Sequence, residues 1–221
     1  MLVVLLLGSV AAHAEPAVDW ANGLVTADGI GIADRHAPNP AVARGTSRRG
    51  AEVAARAALA RSVMRVQVAT GGTVGARLGD AAGAAAAANA PAWARIDRAV
   101  AQAITVAAEP ETDGAWRVTM GVPIEAIRQA LDGGPRAVAS ERGDQDPAIV
   151  VVDGVHAAPA IGWTVGGARA ATLWVPAVPG WASAAPHVQA TSAKAGAIEI
   201  GGQAGHEATL YVLVQTARSV D

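Results

Sequence analysis

Three histidines in the C-terminal part of the chain, His156, His187 and His206, are the first residues whose chemistry suggests a site. Neutral imidazoles hold zinc well, but these three form no local motif. Only folding would gather them, and separate loop histidines are the plainer expectation. Asp144-Gln-Asp146 offers oxygens to a hard cation, within text that otherwise looks solvated. Glu109, Glu111 and Asp113 resemble a general acid/base set but crowd a hairpin turn, where acids serve turn geometry. Gly29-Ile-Gly31 is half of a dinucleotide fingerprint. The third glycine position is Asp34 and no helix opens there, so a strand bend is expected. The chain contains no Gly-x-Ser-x-Gly elbow, no His-Glu-x-x-His, no Gly-Lys-Ser/Thr and no cysteine.

Two groups of residues suggest binding instead. Arg44, Arg48, Arg49, Arg56, Arg61 and Arg65 decorate one helical stretch against the single acid Glu52. They can form a cationic ridge for phospholipid, lipopolysaccharide or an acidic protein, or a solvated face whose arginine stems cover alanine. Trp163, Trp174 and Trp181 lie among Gly and Pro and can form a stacking platform for carbohydrate or peptide. With no phenylalanine in the chain, the core of the C-terminal region is the plainer expectation for them.

The elements that must position these residues follow from the patterning. Val18–Ile32 reads as extended chain, bent or bulged at its glycines. A helix starts at Asn39 or Pro40, with Asn39 as N-cap, and runs to about Val66. Its expected apolar stripe is Val53, Ala57, Ala60 and Met64. Val66 to Gly72 reads as a short strand, and residues 71–90 as a weak helix or connector. A firmer helix spans Ala90-Pro91 to about Ala103, with Trp93, Ile96, Val100 and Ile104 on one face. Residues 104–122 form a hairpin turning at Thr112-Asp113-Gly114. Its second arm points Trp116, Val118, Met120 and Val122 one way and Arg117, Thr119 and Gly121 the other. A short helix follows Pro123, with Ile124, Ile127 and Leu131 inward, and stops at Asp132-Gly-Gly-Pro135. Beyond a linker at 134–147, strands are expected near 148–154, 171–175, 197–201 and 209–216, with no periodic helix.

Composition and ends set the class. The chain is 52% hydrophobic and 16% charged, which suits a globular domain. Its formal net charge of −2 gives no basic footprint for nucleic acid. The first ten residues are an apolar run, and Ala12-His-Ala14 supplies a small-x-small cleavage site. The expected organisation is a signal peptide at 1–14, an α+β domain at 15–133, the linker, and a smaller β-rich region at 148–221. No later segment reads as a membrane span.

The order strand, long helix, second helix, hairpin, short helix in residues 18–131 resembles a known group of bacterial envelope proteins. Val18-Asp-Trp-Ala-Asn-Gly-Leu-Val-Thr-Ala-Asp-Gly-Ile-Gly is similar to the opening strand of that group. Ala41-Val-Ala-Arg-Gly-Thr-Ser-Arg-Arg-Gly-Ala-Glu-Val-Ala-Ala-Arg-Ala-Ala-Leu is similar to its signature helix. The group is the LPP-twenty-type envelope lipoprotein family, with the similar N-terminal domain of flagellar assembly protein T. Ile149 to Gly167 resembles the region that follows that domain in longer members. The resemblance implies an α/β domain with a helix on a small antiparallel sheet, located at or near the outer membrane. This chain lacks the lipidated cysteine of the family.

The expectation is therefore an α/β (α+β) fold and a non-catalytic periplasmic protein, with no cofactor and no metal. It would act as an interaction or structural module on an envelope protein or an anionic outer-membrane component, through the six arginines. The alternatives are a metal-dependent hydrolase using the C-terminal histidines, and a glycan-binding module.

Overall fold

A computed structural model describes residues 17–79, 84–133, 149–201 and 208–216. The signal segment with its cleavage site, the linker at 134–147, Asp144, Asp146 and His206 lie outside the described residues.

The opening segment is a hairpin rather than one bent strand: β1 (Ala17–Asp19) and β2 (Leu24–Gly31) pair antiparallel. The turn between them is built on Asn22-Gly23. The Asp19 carboxylate accepts from the Asn22 backbone at 3.0 Å and from its side-chain amide at 2.7 Å. Gly23, the last residue of the Trp20–Gly23 loop, takes φ 66°, a left-handed conformation that glycine adopts without steric cost.

Four helices and two further strands complete this half: α1 (Pro40–Arg65), α2 (Val74–Leu78), α3 (Ala84–Ala101), β3 (Ile104–Pro110), β4 (Trp116–Pro123) and α4 (Ile124–Asp132). The sheet order is β1-β2-β4-β3, antiparallel throughout. β2 pairs with β4 in unbroken register from Leu24 to Gly31, so its glycines make no bulge. The bulge in this sheet lies on β3, between Thr105 and Ala107.

The Asn39 side chain caps α1 by accepting from the Val42 N–H at 3.0 Å. Its buried row is Ser47, Ala51, Ala55, Leu59 and Val63, spaced four apart. The expected stripe is corrected: Val53 is 66% exposed, Ala57 is exposed, and Ala60 and Met64 are only half-buried. The cause is the distance at which helix and sheet pack. A Cβ on Gly31 would lie 1.8 Å from the Ser47 carbonyl oxygen, and one on Gly29 2.2 Å from the Ala51 oxygen. Backbone rides on backbone, so only small residues fit beneath the first half of the helix. Ser47 also donates its hydroxyl to the Gly31 carbonyl at 2.5 Å.

The alanine run is helical, so α3 begins at Ala84 and holds Pro91 inside it. The Asn89 amide donates to the Leu78 carbonyl at 2.8 Å, tying α3 to the end of α2. Ile96 and Val100 are buried as expected, but Ile104 opens β3 and is 52% exposed. The second hairpin turns at the expected place, with the Asp113 carboxylate accepting from the Ala115 N–H at 2.9 Å. Val118, Met120 and Val122 are buried on the helix side, while Thr119 donates to Asp28 at 2.6 Å on the other. In α4, Ile124, Ile127 and Ala130 are buried and Leu131 only partly. Gly133 ends the helix in the left-handed region at φ 105°.

The C-terminal strands are β5 (Ile149–Val155), β6 (Thr164–Val165), β7 (Ala171–Val175), β8 (His187–Lys194), β9 (Ala197–Ile200) and β10 (Leu210–Gln215), ordered β6-β9-β8-β5-β10-β7. Sequence reading misses β6 and β8. The central pairings, β10 with β5 and β7 and β5 with β8, are parallel. Parallel strands are covered on both faces and read as continuous apolar runs, which accounts for Val150-Val-Val152 and Tyr211-Val-Leu213. Val150, Val152, Tyr211 and Leu213 pack with Trp163 and Trp174 on one face. Val151, Val175 and Val212 pack with Ala182 on the other.

The two sheets join through residues 67–69, where Gln67 and Val68 form isolated bridges rather than the expected strand. Ala69 donates to the Ile161 carbonyl and Ile161 to the Gln67 carbonyl, both at 2.9 Å. Trp174 donates its backbone N–H to Trp20 at 3.1 Å.

Burial raises the phenol of Tyr211, the chain's one tyrosine, above its ordinary value of 10.0. The folded state prefers the neutral phenol, so this stability is fully present below the unfolded value and is lost as pH rises through the folded one. With one lysine and no cysteine in the chain, few other groups titrate there. The melting temperature should hold up to about pH 10 and fall above it. Tyr211→Phe should remove that alkaline step, as read by CD melts across the range.

Candidate functional site

The structure distributes most of the sequence candidates into separate structural roles. His187 Nδ1 and Asp153 Oδ2 share a hydrogen bond of 2.7 Å between β8 and β5. His156 is exposed just past the end of β5. Among the described residues, no three His, Cys, Asp or Glu side chains gather as a metal site. Glu111 pairs with Arg117 at 3.1 Å, Asp113 holds its own turn, and Glu109 faces Arg117 in the strand register. Gly29 and Gly31 are the seat of α1.

Trp163 and Trp174 are buried with ring centroids 6.0 Å apart and planes tilted by 60°. Trp181 alone of the three is exposed, so no three-indole platform exists.

The arginines of α1 resolve into two rows at i,i+4 spacing. Arg44, Arg48, Glu52 and Arg56 run along one flank. Arg48 donates to Glu52 at 3.2 Å and lies 5.4 Å from the centroid of the Trp116 ring. Arg56 is half-buried. Arg49, Val53, Ala57, Arg61 and Arg65 form the second row, and all five are exposed, opposite the buried row. Among the described residues, no acid pairs with Arg49, Arg61 or Arg65. At about 1.5 Å per residue, the arginines from Arg44 to Arg65 lay their charge along about 32 Å of surface. It carries six of the chain's 17 basic residues and one of its 19 acids. Positive charge is concentrated there on a chain that is net negative.

Sequence reading missed a groove of about 360 Å³ between α3 and α4, at the end of the antiparallel sheet. Arg95 and Arg98 of α3 and Gln102, in the turn just past its end, line one wall at i, i+3 and i+7. Gln129 and Ala126 of α4 form the other, over Val122 and Ile104. Arg95 Nε donates to the Ala130 carbonyl at 2.7 Å, and Gln129 donates to Glu125 at 2.9 Å. The α3 spacing was visible in the sequence, but the opposing wall comes from a helix some thirty residues away, as the 35-residue separation of the Arg95–Ala130 bond shows.

A second charged cluster lies where the halves meet. Asp132 faces Arg128 of its own helix at 3.0 Å, Arg169 at 3.7 Å and Arg77 at 3.9 Å. Hydrogen bonding to Glu125 raises the Arg128 pKa, so that guanidinium stays charged. These side chains are occupied with one another, which is the arrangement of a structural clasp.

No helix among the described residues is long and apolar enough to cross a membrane. Set against known proteins, the chain matches no family model and no curated protein.

Proposed function

We propose that this protein is an exported, non-catalytic interaction module of the bacterial envelope, docking through the outward row of α1 onto an anionic, phosphate-bearing surface of the outer membrane. The observation that carries the reading is the exposure of Arg49, Arg61 and Arg65 on the outward row without acidic partners. Unpaired guanidiniums on a long surface helix keep their capacity for bidentate contact with phosphate. The exposed Val53 and Ala57 between them add apolar area of the kind that interfacial helices use. The small-x-small site after the apolar start and the LPP-twenty-type resemblance of residues 18–131 support the location.

The test is co-sedimentation with vesicles of neutral lipid alone and of neutral lipid mixed with phosphatidylglycerol. The protein should pellet only with the anionic vesicles, and high salt should release it. Each arginine near such a surface contributes about 1 kcal/mol. Arg49→Glu/Arg61→Glu/Arg65→Glu should therefore weaken binding at least about a hundredfold. Binding that is absent at low salt, or unchanged in the triple variant, would sink the reading.

A further inference from the structure

We propose that the groove between α3 and α4 is a binding site for a small amphipathic carboxylate, its acid group at Arg98 and its aliphatic chain on the Val122–Ile104 floor. The proposal is independent of the membrane-docking reading. The groove's size, about 360 Å³, sits at the lower end of small-ligand sites.

The two walls and the floor divide the labour. Val122 is buried at the end of β4, Ile104 is half-exposed at the start of β3, and Ala99, Ala126 and Ala130 keep the walls low. An isoleucine left half in water beside a concave apolar surface gains by being covered. Among the described residues, the polar groups are confined to Arg95, Arg98, Gln102 and Gln129, and no carboxylate lines the groove. Asp97, the single acid of α3, is not part of the lining.

The two guanidiniums are not equivalent. Arg95 is anchored, because its Nε is committed to the Ala130 carbonyl at the end of α4. Arg98 is exposed and pairs with no acid among the described residues. An anchored cation beside a free one gives a fixed positive wall and a mobile fork that can close on a carboxylate. Gln102 lies four residues beyond Arg98, in the turn that follows α3, and can donate its amide to the second carboxylate oxygen. A neutral amphiphile would gain only the floor, and a cationic one would be repelled. Charge and shape together therefore select an aliphatic acid.

Titration calorimetry of the purified protein with decanoate, and separately with decanol, tests this. Decanoate should bind at one site, and decanol at least about tenfold more weakly. Arg98→Gln should weaken decanoate about tenfold and leave decanol unchanged, because it removes only the charge-assisted contact. Ala126→Trp should block both ligands by filling the groove. Gln102→Trp, at an exposed rim position where folding is not at stake, serves as a second blocking variant. Absence of decanoate binding overturns the proposal. So does equal binding of acid and alcohol, or decanoate binding that survives both blocking variants.

Discussion

Gly29→Ala should cost more than about 4 kcal/mol, a large fraction of the typical 5–15 kcal/mol of a domain. The added Cβ would sit 2.2 Å from the Ala51 carbonyl oxygen, 2.2 Å from the Ala55 nitrogen and 2.8 Å from the Ala55 Cα. All three are backbone atoms in the middle of α1, so no side-chain rotation relieves the clash. The helix must lift from β2, which opens the Ser47–Gly31 hydrogen bond and uncovers Val25, Leu59 and Val63 together. The control is Gly45→Ala in the same helix. There a Cβ meets nothing closer than a flexible arginine tip at 4.0 Å. Removing a helical glycine in open space should stabilise by about 0.5–1 kcal/mol. Urea unfolding of the two variants should therefore move in opposite directions. A Gly29→Ala protein that unfolds like the parent would contradict the helix–sheet distance.

That contact also explains which parts of the fold the sequence reveals. Features with a local cause are legible: the Asn39-Pro40 helix start, the turn at Asp113, the alternation of β4 and the Gly133 stop. The buried row of α1 is not, because its first half is Ser47, Ala51 and Ala55, and outward alanines such as Ala57 look the same. The discriminating information sits on another element, in the paired glycines of β2. Asn22-Gly23 carries a turn signal of its own, but the glycines that follow it in β2 make the whole segment read as a bent strand. β8 escapes because His187–Lys194 is mostly polar text without an apolar run, and its pairings with β5 and β9 are what make it a strand.

The candidate sites divide along the same line. The six arginines were legible as a set, while their separation into a flank row and an outward row needed the buried face to be known. The groove needed α4 to come back against α3, and the His187–Asp153 pair spans 34 residues. Neither is a property of any short window of sequence. Conversely, the three C-terminal tryptophans looked like one feature and are two. Trp163 and Trp174 fill the space that phenylalanines occupy in other cores, and Trp181 lies outside.

Trp174→Ala should cost about 3–5 kcal/mol, as truncation of a buried large aromatic does. Trp174 is 2% exposed, packs on Trp163, and sits among Val150, Val152, Tyr211 and Leu213. Among the described residues its indole Nε1 has no hydrogen-bond partner, so the side chain is held by packing alone. Trp174→Phe separates those two properties. It keeps an aromatic ring against Trp163 while removing an unpaired buried donor, whose burial costs about 1–3 kcal/mol. The phenylalanine variant should therefore be at least about 2 kcal/mol more stable than the alanine one. The same experiment tests how the halves are coupled. Trp20 packs on both cores, Ile161 belongs to the N-terminal core while donating to Gln67, and the backbone bond from Trp174 to Trp20 survives either substitution. Loss of the β10 core should consequently lower the melting of α1 as well, with helical CD and tryptophan fluorescence shifting together. A helical transition that stays at the parent temperature while fluorescence shifts would show that the two sheets melt independently and that the Trp20 and Ile161 contacts carry little energy.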